Sequence, residues 1–381
     1  MKITPYLEAM VKRDASDLYL TTGAHASLKI MGHLEHLTQS KLKPGVIASF
    51  VKEMLSEKEW DTFHETKEMN KGLSVRDLGR FRVNIYFQRS EMSMVIRYVR
   101  SDIVAPEALG LPEILKEQVM KKEGLFLFVG STGAGKSTSM ASLIQYRNQR
   151  ESGHILTIED PIEFTFRHDK SIIGQREVGF DTLSYGNAMR EAMREAPDVI
   201  MVGEIRSTDT VEAAMGFADT GHLVISTLHA TNTIQALERL VHLLPSEQKN
   251  RVLMDLSLNL RAVVAQRLIP DVNGRYALAT EVLINTPFCA EVIRKGNMQQ
   301  IKEIIDKGAV DGMHSFDQSL VELYKSGKIT KDNALEHASS RNNLDWMLSF
   351  DGNKGETTDP KETTEAAPQM NGGSTKLPEL L

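Results

Sequence analysis

Nine consecutive residues constrain this 381-residue chain more than any other feature. Gly130-Ser131-Thr132-Gly133-Ala134-Gly135-Lys136-Ser137-Thr138 satisfies the pattern G-x-x-x-x-G-K-[ST]. The segment follows Leu125-Phe126-Leu127-Phe128-Val129, an uninterrupted apolar run of the kind that forms a central parallel strand covered on both faces. It precedes a stretch, residues 139–148, that reads as helix. Strand, glycine loop and helix in that order are what phosphate binding needs. The glycines let backbone N–H groups turn inward around an anion, and the helix N-terminus adds partial positive charge. In such a loop Lys136 reaches the β- and γ-phosphates and the Ser137 hydroxyl coordinates Mg²⁺. The expected ligand is ATP with Mg²⁺.

Acids and histidines follow at strand ends. Asp198-Val199-Ile200-Met201-Val202-Gly203-Glu204 is an apolar strand ending in a carboxylate. Glu204 at that place is a candidate general base that takes a proton from, or orients, the attacking water. Gly203 stands where many P-loop proteins carry an Asp associated with Mg²⁺, so the metal's outer shell must be filled differently. Ile158-Glu159-Asp160-Pro161-Ile162-Glu163 is a second acidic strand end, able to hold metal-bound water or help activate the nucleophile, with Pro161 stopping the strand. His222 and His229 flank the apolar strand near residues 223–225, and a neutral imidazole there can donate to a phosphate and shift when it leaves.

Apolar runs at 155–158, 199–202 and 223–225 alternate with helical stretches, which implies a parallel α/β sheet across residues 113–232. Residues 1–100 read as a small α+β domain. There Phe81, Val83, Ile85 and Phe87 alternate with polar neighbours, placing Arg82 on the face opposite the apolar set. Ser56 and Glu59 form a candidate capping box. Pro106, Gly110 and Pro112 mark a linker over 101–112. Beyond Asn232 strands become rare: 252–268 and 299–307 have helical apolar spacing, and Gly327 followed by Thr330 signals a helix stop and a new N-cap. Residues 233–350 are thus expected to be mainly helical. Residues 351–381 lack aromatics and are rich in Thr, Glu, Pro and Gly, which predicts a disordered tail.

Charge and cysteine content exclude several classes. A net charge of −6 gives no basic excess for nucleic acid. One cysteine, Cys289, permits neither an intrachain disulfide nor a four-cysteine zinc site. Charges come too early for a secretory leader, and no apolar run approaches the roughly 18 residues of a membrane span. A cytoplasmic location is expected, with any membrane association made through a partner.

The ordered set of segments resembles the secretion-ATPase superfamily and, within it, the PilT/PilU pilus retraction ATPases. The resemblance is carried by Ala15-Ser16-Asp17-Leu18, Gly79-Arg80-Phe81-Arg82-Val83-Asn84, the phosphate loop, Thr157 through Phe164, Gln175-Arg176-Glu177, Gly203-Glu204-Ile205-Arg206, and Thr220-Gly221-His222-Leu223 on to His229. It covers residues 1–340. It implies an N-terminal PAS-like domain, a RecA-like P-loop core, a helical C-terminal portion and a homo-hexameric ring. It implies that Glu163 belongs to the family's Asp box, Glu204 to its Walker B segment, and His222 and His229 to its His box. It further implies that Arg82 and Arg97 close on nucleotide phosphates, as a guanidinium fork is suited to do. The implied partners are a paralogous PilT-type ATPase and the inner-membrane pilus platform protein, at the cytoplasmic base of the pilus. Ser207, where the main retraction motor typically has Asp, and Phe288-Cys289-Ala290-Glu291-Val292-Ile293-Arg294-Lys295, in place of that motor's retraction-linked helix, favour the accessory PilU branch, as does the tail from 351. Two readings stay open: a working motor, and an ATP-binding docking ring with little turnover of its own. A pilus-assembly or type II secretion ATPase ranks lower, as does a DNA translocase.

Overall fold

The computed structural model describes residues 1–308 and 312–350; the expected tail, 351–381, lies outside the described residues. The period-two pattern around Phe81 becomes the centre of an antiparallel sheet. Its strands are β1 (Asp17–Thr21), β2 (Ser27–Ile30), β3 (His33–His36), β4 (Glu68–Val75), β5 (Gly79–Gln88) and β6 (Glu91–Val99), in the order β3-β2-β1-β6-β5-β4. Phe81, Val83 and Ile85 are fully buried against the helices that flank the sheet. The odd-even alternation leaves Arg82 on the other face, directly opposite Arg97 across the β5–β6 pair. The Ser56–Glu59 capping box closes the N-terminus of the helix Glu57–Thr66.

A second sheet carries the phosphate loop. Its strands are β7 (Gly124–Val129), β8 (Gly153–Glu159), β9 (Ser171–Glu177), β10 (Val199–Val202), β11 (Leu223–Leu228), β12 (Leu260–Pro270) and β13 (Tyr276–Ile284). Their order is β13-β12-β7-β11-β10-β8-β9, parallel throughout except for the β12–β13 hairpin. Strands β7, β10 and β11 are buried along their whole length, because alternate residues feed two cores. Leu125, Leu127 and Val129 pack into one. Phe126 and Phe128 pack into the other, against Met140, Leu143 and Ile144 of the helix Lys136–Asn148. The C-terminal ends of β7, β8, β10 and β11 therefore open onto one edge, where ligands bind in such sheets.

One expectation fails here. The helical spacing read over 252–268 holds only to the end of the helix Lys249–Asn259; the chain then enters β12, which pairs with β7 on one side and β13 on the other. A strand buried on both faces shows no alternation, so Leu260, Ala262, Val263, Val264 and Ala265 give the same apolar run as a buried helix segment. The later signals are met: a helix spans Met298–Asp306, and Thr330 caps the helix Lys331–Glu336 through Asn333 N–H. Among the described residues no helix is long and apolar enough to cross a membrane.

Candidate active site

The loop after β7 has the geometry its glycines allow. Gly133 and Gly135 take left-handed φ angles of 80° and 87°. At Gly130 (φ 155°) a side chain would stand 2.8 Å from the Gln266 carbonyl oxygen and 2.9 Å from Ala134 Cβ, so β12 and the loop leave room only for hydrogen. Gln266 also reaches under the loop's helix, donating from Nε2 to Ser139 Oγ at 2.7 Å. The Lys136 ammonium folds back to donate to the carbonyl oxygens of Gly130 and Ser131, at 2.8 and 2.9 Å. Half-burial lowers its pKa, and the charges of Glu204 and Glu163 oppose that shift. The lysine is thus a cation already facing two carboxylates, held by weak neutral acceptors that a phosphate would displace.

A cavity of about 500 Å³ opens in front of this loop. Of the residues expected from sequence, Thr132, Gly133, Gly135, Lys136, Ser137, Thr138, Glu163, Glu204 and His229 line it, while Gly130, Ser131 and Ala134 complete the loop. Glu204, beyond the end of β10, is 12% exposed. Its Oε2 accepts from Arg206 Nε at 2.6 Å, and its Oε1 lies 3.2 Å from His229 Nε2. Gly203 beside it cannot be Asp without rearrangement, since a Cβ there would meet the Tyr185 hydroxyl at 3.0 Å. The acids available around a metal-bound nucleotide are therefore Glu159, Asp160, Glu163 and Glu204, all on the cavity wall. With the Ser137 hydroxyl these acids offer oxygen donors of the kind Mg²⁺ takes, but among the described residues no three of them gather into a metal site on their own, so a cation here would depend on phosphate oxygens.

Glu159 is the residue sequence reading undervalued. Burial pushes its pKa up to about 7, against hydrogen bonds from Thr157 Oγ1 (2.7 Å), Gln175 Nε2 (3.3 Å) and the Glu163 N–H. Gln175 in turn grips the next turn of chain, donating to the Phe164 carbonyl and accepting from Phe166 N–H, both at 2.9 Å. Tyr185, raised in pKa by burial and by the nearby Asp160, and Leu268 of β12 complete the wall. Leu268 lies on a strand whose apolar spacing mimics a helix, so the sequence pattern does not point to it. The sequence pattern marks no role for Arg206, which lines the same wall.

Three expected residues stay outside the cavity in this chain. His222 precedes β11 and His229 follows it, so the two sit roughly 20 Å apart at about 3.3 Å per residue, at opposite ends of the sheet. Arg97, largely exposed, pairs with Asp17 at 2.9 Å. Arg82 lies near Glu177 at the end of β9, where Arg80 makes the direct contact at 3.1 Å. Burial raises the Glu177 pKa and these two arginines oppose it. The bridge between the two sheets is therefore Arg80–Glu177, reinforced by Thr165 N–H donating to the Arg100 carbonyl at 2.9 Å.

A parallel sheet that delivers a glycine loop, its lysine and two strand-end carboxylates to one edge defines a P-loop nucleotide-binding protein. The family model described as Type II/IV secretion system protein matches residues 1–340, and the chain belongs to that family, whose relatives include ATPases. It is 45% identical over 349 residues to the Type IV pilus ATPase PilU of Pseudomonas aeruginosa, covering 91% of each chain. It is 36% identical over 344 residues to the retraction ATPase PilT of the same organism, covering 90% of this chain and all of that one. A crystal structure of the pilus retraction motor PilT with bound ADP superposes with a TM-score of 0.84 at 39% identity, over 91% of this chain and 100% of that one.

Proposed function

We propose that the chain is a hexameric ATPase of the pilus base that hydrolyses ATP to drive or support type IV pilus retraction, as an accessory to a paralogous PilT-type motor. The observation that carries the reading is the convergence of Lys136, Glu163 and Glu204 on one cavity wall beside a phosphate-type loop. The names of the two Pseudomonas relatives, with near end-to-end coverage, supply the pilus context.

In this reading the N–H groups of residues 131–137 and the Lys136 ammonium hold the β- and γ-phosphates. Ser137 and the acids of the wall would hold Mg²⁺ brought in with the nucleotide and its waters, and the ion would supply charge neutralisation to the phosphates. Water attacks the γ-phosphorus. As that P–O bond forms, the bond to the β,γ-bridging oxygen breaks and its electron pair leaves with ADP; Glu204 receives the water's proton. Glu163 orients the same water or the metal's shell. His229, 3.2 Å from Glu204, fixes the carboxylate. The protein works at the cytoplasmic face of the inner membrane, docked on the pilus platform protein.

The second reading, a docking ring with little turnover, draws support from one feature: Glu204 is covered by Arg206 in the chain as it stands. ATP turnover of the purified chain, alone and mixed with the paralogue, separates the two. Deleting this gene, the paralogue's gene or both, with retraction force as the readout, tests the pilus assignment; wild-type force in the single deletion removes the case for a force-supporting role.

A further inference from the structure

Glu204 faces a conflict between its chemistry and its contacts. To take a proton from water it needs an oxygen open to the cavity, yet both oxygens are engaged. Arg206 Nε and Nη2 stand 2.6 and 2.5 Å from Oε2, and His229 Nε2 stands 3.2 Å from Oε1. A guanidinium seated on the carboxylate oxygen occupies the place a water would take to be deprotonated there. Besides its contact with Glu204, Arg206 is held at its backbone: its N–H donates to Thr210 Oγ1 at 3.3 Å, and the following Ser207 caps the helix Thr208–Asp219. Its side chain is 64% exposed and lines the cavity. The guanidinium can therefore swing by side-chain rotation alone. It is also the guanidinium that lines this cavity among the described residues, since Arg82 and Arg97 do not.

We propose that Arg206 is a γ-phosphate-sensing latch. With the cavity empty, or holding a nucleoside diphosphate, Arg206 covers Glu204. When a triphosphate binds, the guanidinium moves onto the terminal phosphoryl oxygens, and Glu204 is uncovered beside the water it must deprotonate. The planar fork of arginine suits both anions, so the exchange keeps the cation paired throughout. After hydrolysis and loss of phosphate, Arg206 returns to Glu204, so the base is exposed only while a terminal phosphate is present. The latch rests on the reading of the cavity as an ATP site, and the test separates the two.

The test is equilibrium binding of ADP, and of the non-hydrolysable β,γ-imido analogue of ATP, both with Mg²⁺, to full-length wild type, Arg206→Gln, Glu204→Gln and Lys136→Ala. Arg206→Gln is expected to leave ADP affinity within about twofold and to weaken the analogue about tenfold, the loss of one charge-assisted contact. Glu204→Gln is expected to tighten the analogue several-fold relative to ADP, because Arg206 no longer has a carboxylate to leave. An Arg206→Gln protein that loses both nucleotides equally, or neither, overturns the latch; so does a Glu204→Gln protein with unchanged preference. Undiminished binding of both nucleotides to Lys136→Ala overturns the ATP-site reading instead.

Discussion

Strand β11 carries a histidine just beyond each end, and the two residues live in different surroundings. His229, at the C-terminal end, touches a carboxylate on the wall of the cavity. His222, at the N-terminal end, closes a helix: its Nδ1 lies 3.1 Å from the Phe217 carbonyl oxygen and 3.1 Å from Thr220 Oγ1, and its ring meets Phe217 edge-on. The same residue type on the same strand thus faces the cavity at one end and packs on a helix terminus at the other. In a parallel sheet the strand direction decides which, because every loop that can meet a ligand leaves from the C-terminal ends. Substitutions at the cavity end should change turnover or binding with little change in stability, and substitutions at the other end should do the reverse.

The largest effect is expected at Glu204. Glu204→Ala should lower whatever turnover the purified chain shows by about 10²- to 10⁴-fold, the usual worth of a positioned base, while ADP still binds. Retained turnover in a steady-state phosphate-release assay would break the contrast at its strongest point. Next comes Lys136→Ala, which should weaken nucleotide binding about 100-fold through the lost charge-assisted contacts, with an unchanged melting temperature for the nucleotide-free protein.

Much of this contrast is legible in the amino-acid sequence. The glycine loop with its apolar strand fixes one edge of the sheet, and Glu204 announces itself by ending the run 199–202. The pairing of Phe81, Val83 and Ile85 against Arg82 is equally plain, because a strand buried on one face must alternate. Strand β12 stays hidden for the opposite reason: buried on both faces, it has no alternation to display, and Leu268 and Gln266 vanish with it. The separation of His222 from the cavity of its own chain is not legible, because motif spacing records nearness along the chain and not the direction of the strand between two residues. Arg206 is overlooked because an arginine two residues after an acid usually means an ordinary exposed pair; only the shared cavity gives it chemical meaning.

Glu159 sharpens the comparison because it is buried like core and faces the cavity like the site. Burial holds its folded-state pKa at about 7, above the ordinary 4.5, so the folded chain binds that proton more tightly than the unfolded chain does. The stability linked to this group is full below about pH 4.5 and is lost as pH rises through 7. Glu159→Gln keeps an acceptor for Thr157 without the ionisation. Its melting temperature should gain on wild type steadily between pH 5.5 and 8, by an amount worth about 2 kcal/mol at the upper end. A gap that does not widen with pH would show that Glu159 is ionised in the fold and belongs with the solvated acids of the wall.

The smallest effect is the most direct comparison of the two ends. His222→Ala removes a ring that packs on Phe217 and adds to the contacts the His222 N–H and Thr220 Oγ1 already make with a helix-end carbonyl, a loss of about 1 kcal/mol. For a chain of this size that lowers the melting temperature by about 2 °C, with ADP affinity and turnover unchanged. His229→Ala removes a half-exposed contact and should leave the melting temperature where it was. Turnover should fall several-fold, because Glu204 loses the group that holds Oε1 and the carboxylate is free to turn away from the water. The two variants are made by the same substitution on the same strand, so their difference isolates position from residue type. If His222→Ala weakened nucleotide binding at full stability, contact with nucleotide would have to come through a neighbouring subunit. The strand's two ends would then face two different sites, not one site and one helix terminus.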